Sequence, residues 1–173
     1  ADTIAHALVQ PGQPALLEII QAFGTDIIQP NGTLHRAKLR THIFSNSQQR
    51  HQLEAILHPR IRQEMQQQVS QQRAPYCILS IPLLLETQQM ELIDRVLVVD
   101  CATELQRTRL KHRHNSLTPE QIDQILAAQA TRPARLAIAN EVIDNNFDLN
   151  HLKQQVITLH NFYLTLAAKR IDN

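Results

Sequence analysis

Arg95-Val-Leu-Val-Val-Asp100 and, before it, Tyr76-Cys-Ile-Leu-Ser-Ile81 are short, near-continuous apolar runs. Runs of this length suit strands buried on both faces of a parallel sheet. Residues 141–144, Glu-Val-Ile-Asp, read as a last short strand. The segments around these runs carry a helical period instead. Strands alternating with helices imply an α/β fold with a mainly parallel sheet. In such a sheet the ligand site lies beyond the C-terminal ends of the strands. That rule points to residues 80–86, 100–102 and 145–146.

Working outward, residues 3–9 place Ile4, Ala5 and Leu8 on one side of a helix, which Pro11-Gly12 stops. A second helix starts at Pro14, carries Leu16, Ile19, Ile20 and Phe23 on one stripe, and ends at Gly24. Asn31-Gly32 marks a turn, and residues 36–44 read as a short helix. Ser47 then reads as the N-cap of a long helix with Leu53, Ile56, Leu57, Ile61, Met65 and Val69 facing inward. Pro59 sits inside that pattern and should kink or divide it. The Gln-rich stretch 66–72 continues the same pattern as a solvated face. After the strand ending at Asp100, residues 104–111 read as a helix. Thr118-Pro-Glu-Gln121 then carries a full N-terminal signature, with a capping residue, a proline at the first position and a glutamine placed to close a capping box. That helix should reach about Gln129. In the final helix Leu149, Leu152, Val156, Leu159, Tyr163 and Leu166 recur at steps of three and four. They form either a coiled-coil seam or, as the shorter pattern favours, a face packed on the sheet.

Composition narrows the function classes. The 173 residues are 43% hydrophobic, contain no Trp, and carry 17 basic and 16 acidic side chains for a net charge of +1. That length holds one domain with a core, or one domain with an inserted lid. The charge balance gives no field that would make nucleic acid the main partner. No apolar run approaches the ~18 residues of a membrane span, and no signal peptide is visible, so a cytoplasmic location is expected. Cys77 and Cys101 are the only cysteines, and both are expected to be buried, reduced thiols. The sequence opens at Ala1-Asp2 without Met, which reads as a start that has been cut, processed or engineered.

Several residues could carry chemistry. Asp100 ends a strand, where it could orient a metal-bound water or cap the next helix. Arg109 and Arg113 are four apart and share a helix face. Two guanidinium groups aimed one way could clamp a polyphosphate, or they could line a solvated face. Arg132 and Arg135 follow on the far side of the capped helix, and a helical hairpin with arginines at both ends suits a mobile lid over a nucleotide. Asp2 precedes a helix and could simply cap it. His112 and His114 make a poor zinc site, with no carboxylate or Cys nearby, so no metal ligands are assigned. His58 interrupts an apolar stripe, where a structural role is usual. Gly12, Gly24 and Gly32 are the only glycines, and none belongs to a G-x-x-x-x-G-K-[ST] loop.

Together these stretches resemble the dephospho-coenzyme A kinases. Ala1-Asp2 with Ala5-His6 is similar to the family's D-A-D-x-x-A-[HR] segment with its first Asp lost. Leu53-Glu54 with His58-Pro59-x-Ile61 is similar to its L-E…H-P-x-I helix. Ile81-Pro-Leu-Leu84 with Glu86 resembles its P-L-L-x-E strand end. Val98-Val-Asp100, Arg109-Leu110 and Arg113 match its fourth strand and lid entry, Ile125-Leu-Ala-Ala-Gln129 and Arg132 its lid exit, and Val142-Ile-Asp-Asn-Asn146 its last strand. The pieces span nearly the whole chain in the family's order. The lid loop 112–117 is one residue longer than the family's, and Phe147 stands where the family often has Gly.

The resemblance implies a three-layer P-loop kinase fold of the nucleoside-monophosphate-kinase type: a mainly parallel sheet, a helical substrate-binding insertion and a helical lid. It implies ATP as co-substrate with Mg²⁺, and phosphoryl transfer to the ribose 3′-hydroxyl of dephospho-coenzyme A. Asp2 would orient or deprotonate that hydroxyl, and Arg109, Arg113 and Arg135 would neutralise phosphoryl charge. Asn145 would lie near the adenine of ATP, with His6, His58 and Glu86 on the acceptor. The helical region 11–73 would grip the acceptor, 74–102 and 140–173 would form the core, and 103–139 the lid. The first strand with its phosphate loop is expected to be absent, which would leave the chain inactive as written. Two alternatives stay open: a non-catalytic helical binding module or remnant, and another P-loop small-molecule kinase. Oligomeric state is not legible.

Overall fold

The structure is a computed structural model, and it describes residues 1–44, 46–87 and 90–171. The chain divides into two compact units. One comprises Ala1–Arg73 with Cys77–Ile81, and the other Ala74–Tyr76 with Pro82–Asn173. The expected acceptor-binding region 11–73 falls inside the first, and the expected lid inside the second.

The first unit is helical. Its helices are α1 (Asp2–Leu8), α2 (Pro14–Phe23), α3 (Arg36–Phe44) and α4 (Ser47–Ser70). α2 begins with Pro at its first position and ends at Gly24, whose φ of 88° is open to glycine and costly for other residues. Gly32, at φ 80°, turns the chain back so that Ile28 and Leu34 form one antiparallel bridge. Val9, Leu16, Ile19, Phe23, Ile27, Leu34 and Leu39 form the core, with Leu53, Ile56 and Leu57 of α4 packed against it.

Three expectations for α4 are corrected. Asn46, not Ser47, is the N-cap, and its side chain accepts from the Gln49 N–H at 3.1 Å; adjacent cap-forming residues make this boundary ambiguous in sequence. Pro59 does not divide the helix, which runs unbroken through it. Proline costs one ladder bond, and the burial of Ile61 and Met65 on the next turns offsets that loss. Val69, assigned to the inner stripe, is exposed.

The second unit holds β1 (Leu97–Asp100) and β2 (Glu141–Asp144), which pair in parallel with Val98 opposite Val142 and Val99 opposite Ile143. Its helices are α5 (Thr103–Arg113), α6 (Pro119–Ala127), α7 (Arg132–Ala137) and α8 (Leu149–Ile171). The capping box of α6 forms as expected. Thr118 accepts from the Gln121 N–H, and the Gln121 side chain accepts from the Thr118 N–H at 2.9 Å. α8 packs on β2. Gln155 fixes that contact by bonding both the N–H and the carbonyl of Asp144, each at 2.8 Å. Leu152, Leu159, Tyr163 and Leu166 are partly buried, while Leu149 and Val156 are exposed.

The α/β class with a parallel sheet is therefore observed, but burial differs from expectation. Val99 is 59% exposed and Val142 46% exposed, so the described strands are not covered on both faces. The run 76–81 is not a strand. It has no ladder partner among the described residues, and Ile78 in its centre is 69% exposed. Apolar composition favours extended backbone, but a strand exists only where a neighbour accepts its hydrogen bonds. Cys77 is accordingly exposed, against expectation, whereas Cys101 at the end of β1 is buried.

Candidate active site

In the second unit the site is built at the carboxyl ends of β1 and β2. Asp100 is the last residue of β1 and is only 8% exposed. Arg132, at the start of α7, closes on it with three hydrogen bonds. Its Nε donates to Oδ1 at 2.9 Å and to Oδ2 at 3.1 Å, and its Nη2 donates to Oδ2 at 2.6 Å. This fork fits the carboxylate plane, a geometry a lysine could not supply. The Arg132 guanidinium holds Asp100 below the usual carboxylate range although burial opposes the shift. Asp100 is therefore an anchor for the α7 end of the helical hairpin.

Beside it, the Asn145 N–H continues the strand pairing to the Asp100 carbonyl at 2.8 Å. The Asn145 side-chain amide makes no bond to a described residue and is open to a ligand. Asn146 holds the entry to α5. Its Oδ1 accepts from the Ala102 N–H at 2.7 Å, while its own N–H donates to Asp144 at 2.9 Å.

The hairpin 103–139 is stapled internally. Arg107 of α5 meets Asp123 of α6 at 2.8 Å, and Lys111 donates to the Leu117 carbonyl at 2.6 Å, holding the loop after α5. Arg109 and Arg113 lie on α5 and make no ion pair or hydrogen bond to a described residue, so both forks remain available to an anion. Arg135 points one nitrogen at the Ala130 carbonyl, 2.5 Å away, and Glu86 accepts from the Ala130 N–H at 2.6 Å. Arg135, Glu86, Arg132 and Asp100 thus meet around the α6–α7 connection. Arg109 and Arg113 are not joined to that network.

In the first unit, Asp2 is the first residue of α1. The N-cap is Ala1, and no side chain caps the helix. Asp2 gains from the helix dipole there, but its carboxylate has no described partner and is exposed. His6 lies one turn on, and its Nδ1 is hydrogen-bonded with the Gln10 side-chain amide nitrogen at 3.0 Å. His58 is half-buried on α4, without a described hydrogen bond. A cleft of ≈ 240 Å³ in this unit is lined by residues including Leu8, Gln13, Arg60 and Gln67; none of the nominated side chains lines it.

Sequence reading missed the Asp100–Arg132 pairing, though both residues drew notice separately. Nothing in local periodicity links residues 32 apart. It also missed Gln155 and the Glu141 cluster, where Arg95 Nε donates to Glu141 at 2.8 Å and Tyr163 donates to it at 3.0 Å.

Residues 1–151 match the family model described as dephospho-CoA kinase. The chain belongs to the dephospho-CoA kinase family. The dephospho-CoA kinase of Methylococcus capsulatus is 46% identical over 97% of this chain and 84% of its own length. That of Escherichia coli K12 is 46% identical over 99% of this chain and 83% of its own. Two solved structures share the fold. A Thermus thermophilus protein superposes with a TM-score of 0.79 at 24% identity, covering 92% of this chain and 81% of its own. The dephospho-CoA kinase from Campylobacter jejuni does so with a TM-score of 0.66 at 23% identity, with the same coverage. As a member of the dephospho-CoA kinase family, the chain is a transferase, a kinase of coenzyme A biosynthesis. The reading as a non-catalytic module is not favoured. Among the described residues no helix is long and apolar enough to cross a membrane.

Proposed function

We propose that the protein transfers the γ-phosphoryl group of ATP, carried as its magnesium complex, to the ribose 3′-hydroxyl of dephospho-coenzyme A. The bond from the 3′-oxygen to phosphorus forms as the bond from phosphorus to the β,γ-bridging oxygen breaks. ADP leaves, and the hydroxyl proton passes to the Asp2 carboxylate. The observation that carries this reading is the uncommitted pair Arg109 and Arg113 on a helix whose other Lys and Arg side chains, Arg107 and Lys111, are tied down. Two unpaired guanidinium groups one helical turn apart can stabilise the charge that develops on a transferring phosphoryl group.

In this proposal Asp2, exposed and unpartnered, orients and deprotonates the acceptor hydroxyl. Arg109, Arg113 and Arg135 neutralise phosphate charge. Asn145, with its free amide at the strand ends, reads the adenine of ATP. His6 and His58 contact the acceptor from the helical region 11–73. Among the described residues no three His, Cys, Asp or Glu groups gather, and Asp100 is engaged by Arg132. These residues do not fit a protein-held magnesium ion, so no step is routed through one. None of the three glycines lies in a phosphate-cradling loop. Residues 1–173 are therefore assigned acceptor, adenine and lid contacts, and not the phosphate cradle.

The test is to incubate the full-length protein with Mg-ATP and dephospho-coenzyme A and to locate the new phosphate by phosphorus NMR. One ADP per 3′-phosphorylated product, with no turnover of the 3′-deoxy acceptor, is expected. Phosphate at another position, or turnover of the 3′-deoxy acceptor, contradicts the reading.

A further inference from the structure

We infer that Glu86 is a positioning residue that fixes the exit of the helical lid, and through it Arg135, rather than a ligand of the acceptor. The inference starts from one backbone unit. Ala130 lies in the connection between α6 and α7. Its N–H donates to Glu86 Oε1 at 2.6 Å, and its carbonyl accepts from Arg135 Nη1 at 2.5 Å. Two side chains from different parts of the second unit thus hold the two polar groups of one connecting residue.

Glu86 is itself held. It sits in the turn 82–87, where both the N–H and the hydroxyl of Thr87 donate to the Leu83 carbonyl, at 2.9 and 2.7 Å. These two hydrogen bonds to one acceptor hold the turn that carries Glu86. On the other side, Thr131 caps α7 by accepting from the Ala134 N–H, and Arg132 of the same turn is clamped by Asp100. The connection is therefore fastened to the body at two points, Glu86 and Asp100. Arg135 takes its direction from the first of them.

The chemical consequence lies in Arg135. A guanidinium has five N–H donors in a fixed plane. With Nη1 on the Ala130 carbonyl, the guanidinium is tethered at one nitrogen and its remaining donors are left for a ligand. Loss of the Glu86 acceptor frees Ala130, lets its carbonyl rotate, and releases Arg135 from a defined orientation. A displaced group of this kind costs rate more than binding, because the transition state needs the aligned geometry.

For kinetics the inference rests on the phosphoryl transfer proposed above; for structure it does not. Glu86→Ala and Glu86→Gln are compared with wild type in the full-length protein. Glutamine keeps an oxygen at the Oε1 position, so it should restore what alanine loses. Glu86→Ala should lower kcat roughly 10–100-fold while KM for both substrates stays within about two-fold. Amide hydrogen exchange in peptides covering 128–135 should speed up in Glu86→Ala and return to the wild-type rate in Glu86→Gln. A raised KM for dephospho-coenzyme A at unchanged kcat would place Glu86 on the acceptor and overturn the inference. So would a lower melting temperature with kinetics and local exchange unchanged. Should wild type turn over no dephospho-coenzyme A, the function reading fails, and the exchange comparison alone then decides: faster exchange at 128–135 in Glu86→Ala supports the positioning role, and unchanged exchange ends it.

Discussion

Asp100, the last residue of β1, and Arg132, the first residue of α7, are joined by three hydrogen bonds across 32 positions of sequence. This pair ties the end of the sheet to the start of α7, and it makes stability depend on pH. Arg132 depresses the Asp100 carboxyl below its unfolded value of about 3.9. As pH falls, the unfolded chain takes up the proton first, so the contribution is present above about pH 4 and is lost as pH falls through the lower folded value. Urea denaturation of wild type and Asp100→Asn from neutral to acidic pH should show wild type more stable at neutral pH. The gap should narrow below about pH 4. A gap independent of pH would mean that the charge of Asp100 contributes nothing.

A second titration lies on the opposite side of neutrality. Burial pushes the Tyr163 phenol up to about 12, and its bond to the Glu141 carboxylate adds to the shift. A raised folded value means that the neutral phenol stabilises the fold. That stability is complete below about pH 10, the unfolded value, and is lost as pH rises through the folded one. The ultraviolet phenolate titration of wild type minus Tyr163→Phe should show a midpoint near 12. A midpoint at the ordinary tyrosine value would dissolve the Glu141 cluster as described.

The helical unit offers a packing test. Ile19 is completely buried at the centre of its core. Ile19→Ala should cost about 2–5 kcal/mol and Ile19→Val about 0.5–1.5 kcal/mol, read from chemical denaturation followed by circular dichroism. Equal, small effects would show that the core collapses around the change.

Substitution of the two unpaired arginines of α5 separates binding from rate. Arg109→Ala and Arg113→Ala should each lower kcat roughly 10²–10³-fold, as loss of one charge-stabilising donor does, with KM for dephospho-coenzyme A changed only a few-fold. The reverse pattern in steady-state kinetics, a raised KM at constant kcat, would assign them to the acceptor.

Elements with their own punctuation could be read from sequence. α2 is bounded by Pro14 and Gly24, and α6 carries a capping box, so both starts are where local chemistry puts them. β2 matches residues 141–144 because its apolar run ends at the Asp-Asn turn. Elements that need a distant partner could not be read this way. The run 76–81 has strand composition but no described ladder, and the choice between Asn46 and Ser47 as cap turned on which hydroxyl or amide reached Gln49. At the site, the types of the candidate residues were visible, and their engagement was not. Arg109 and Arg113 looked the same in sequence as Arg107 and Arg132, yet the latter two are committed to Asp123 and Asp100. Only folding sorts free guanidinium groups from paired ones.

The proposed reaction depends most directly on Asp2, an exposed carboxylate in the first turn of α1 that caps nothing and pairs with no described residue. The deciding measurement is the turnover of dephospho-coenzyme A by full-length Asp2→Asn beside wild type, with circular dichroism and melting temperature recorded on both. A loss of roughly 10²–10⁴-fold in kcat, with fold and melting temperature unchanged, is the predicted result. Turnover within a few-fold of wild type would contradict it, leaving Asp2 as a favourable charge at a helix start and removing it from the chemistry.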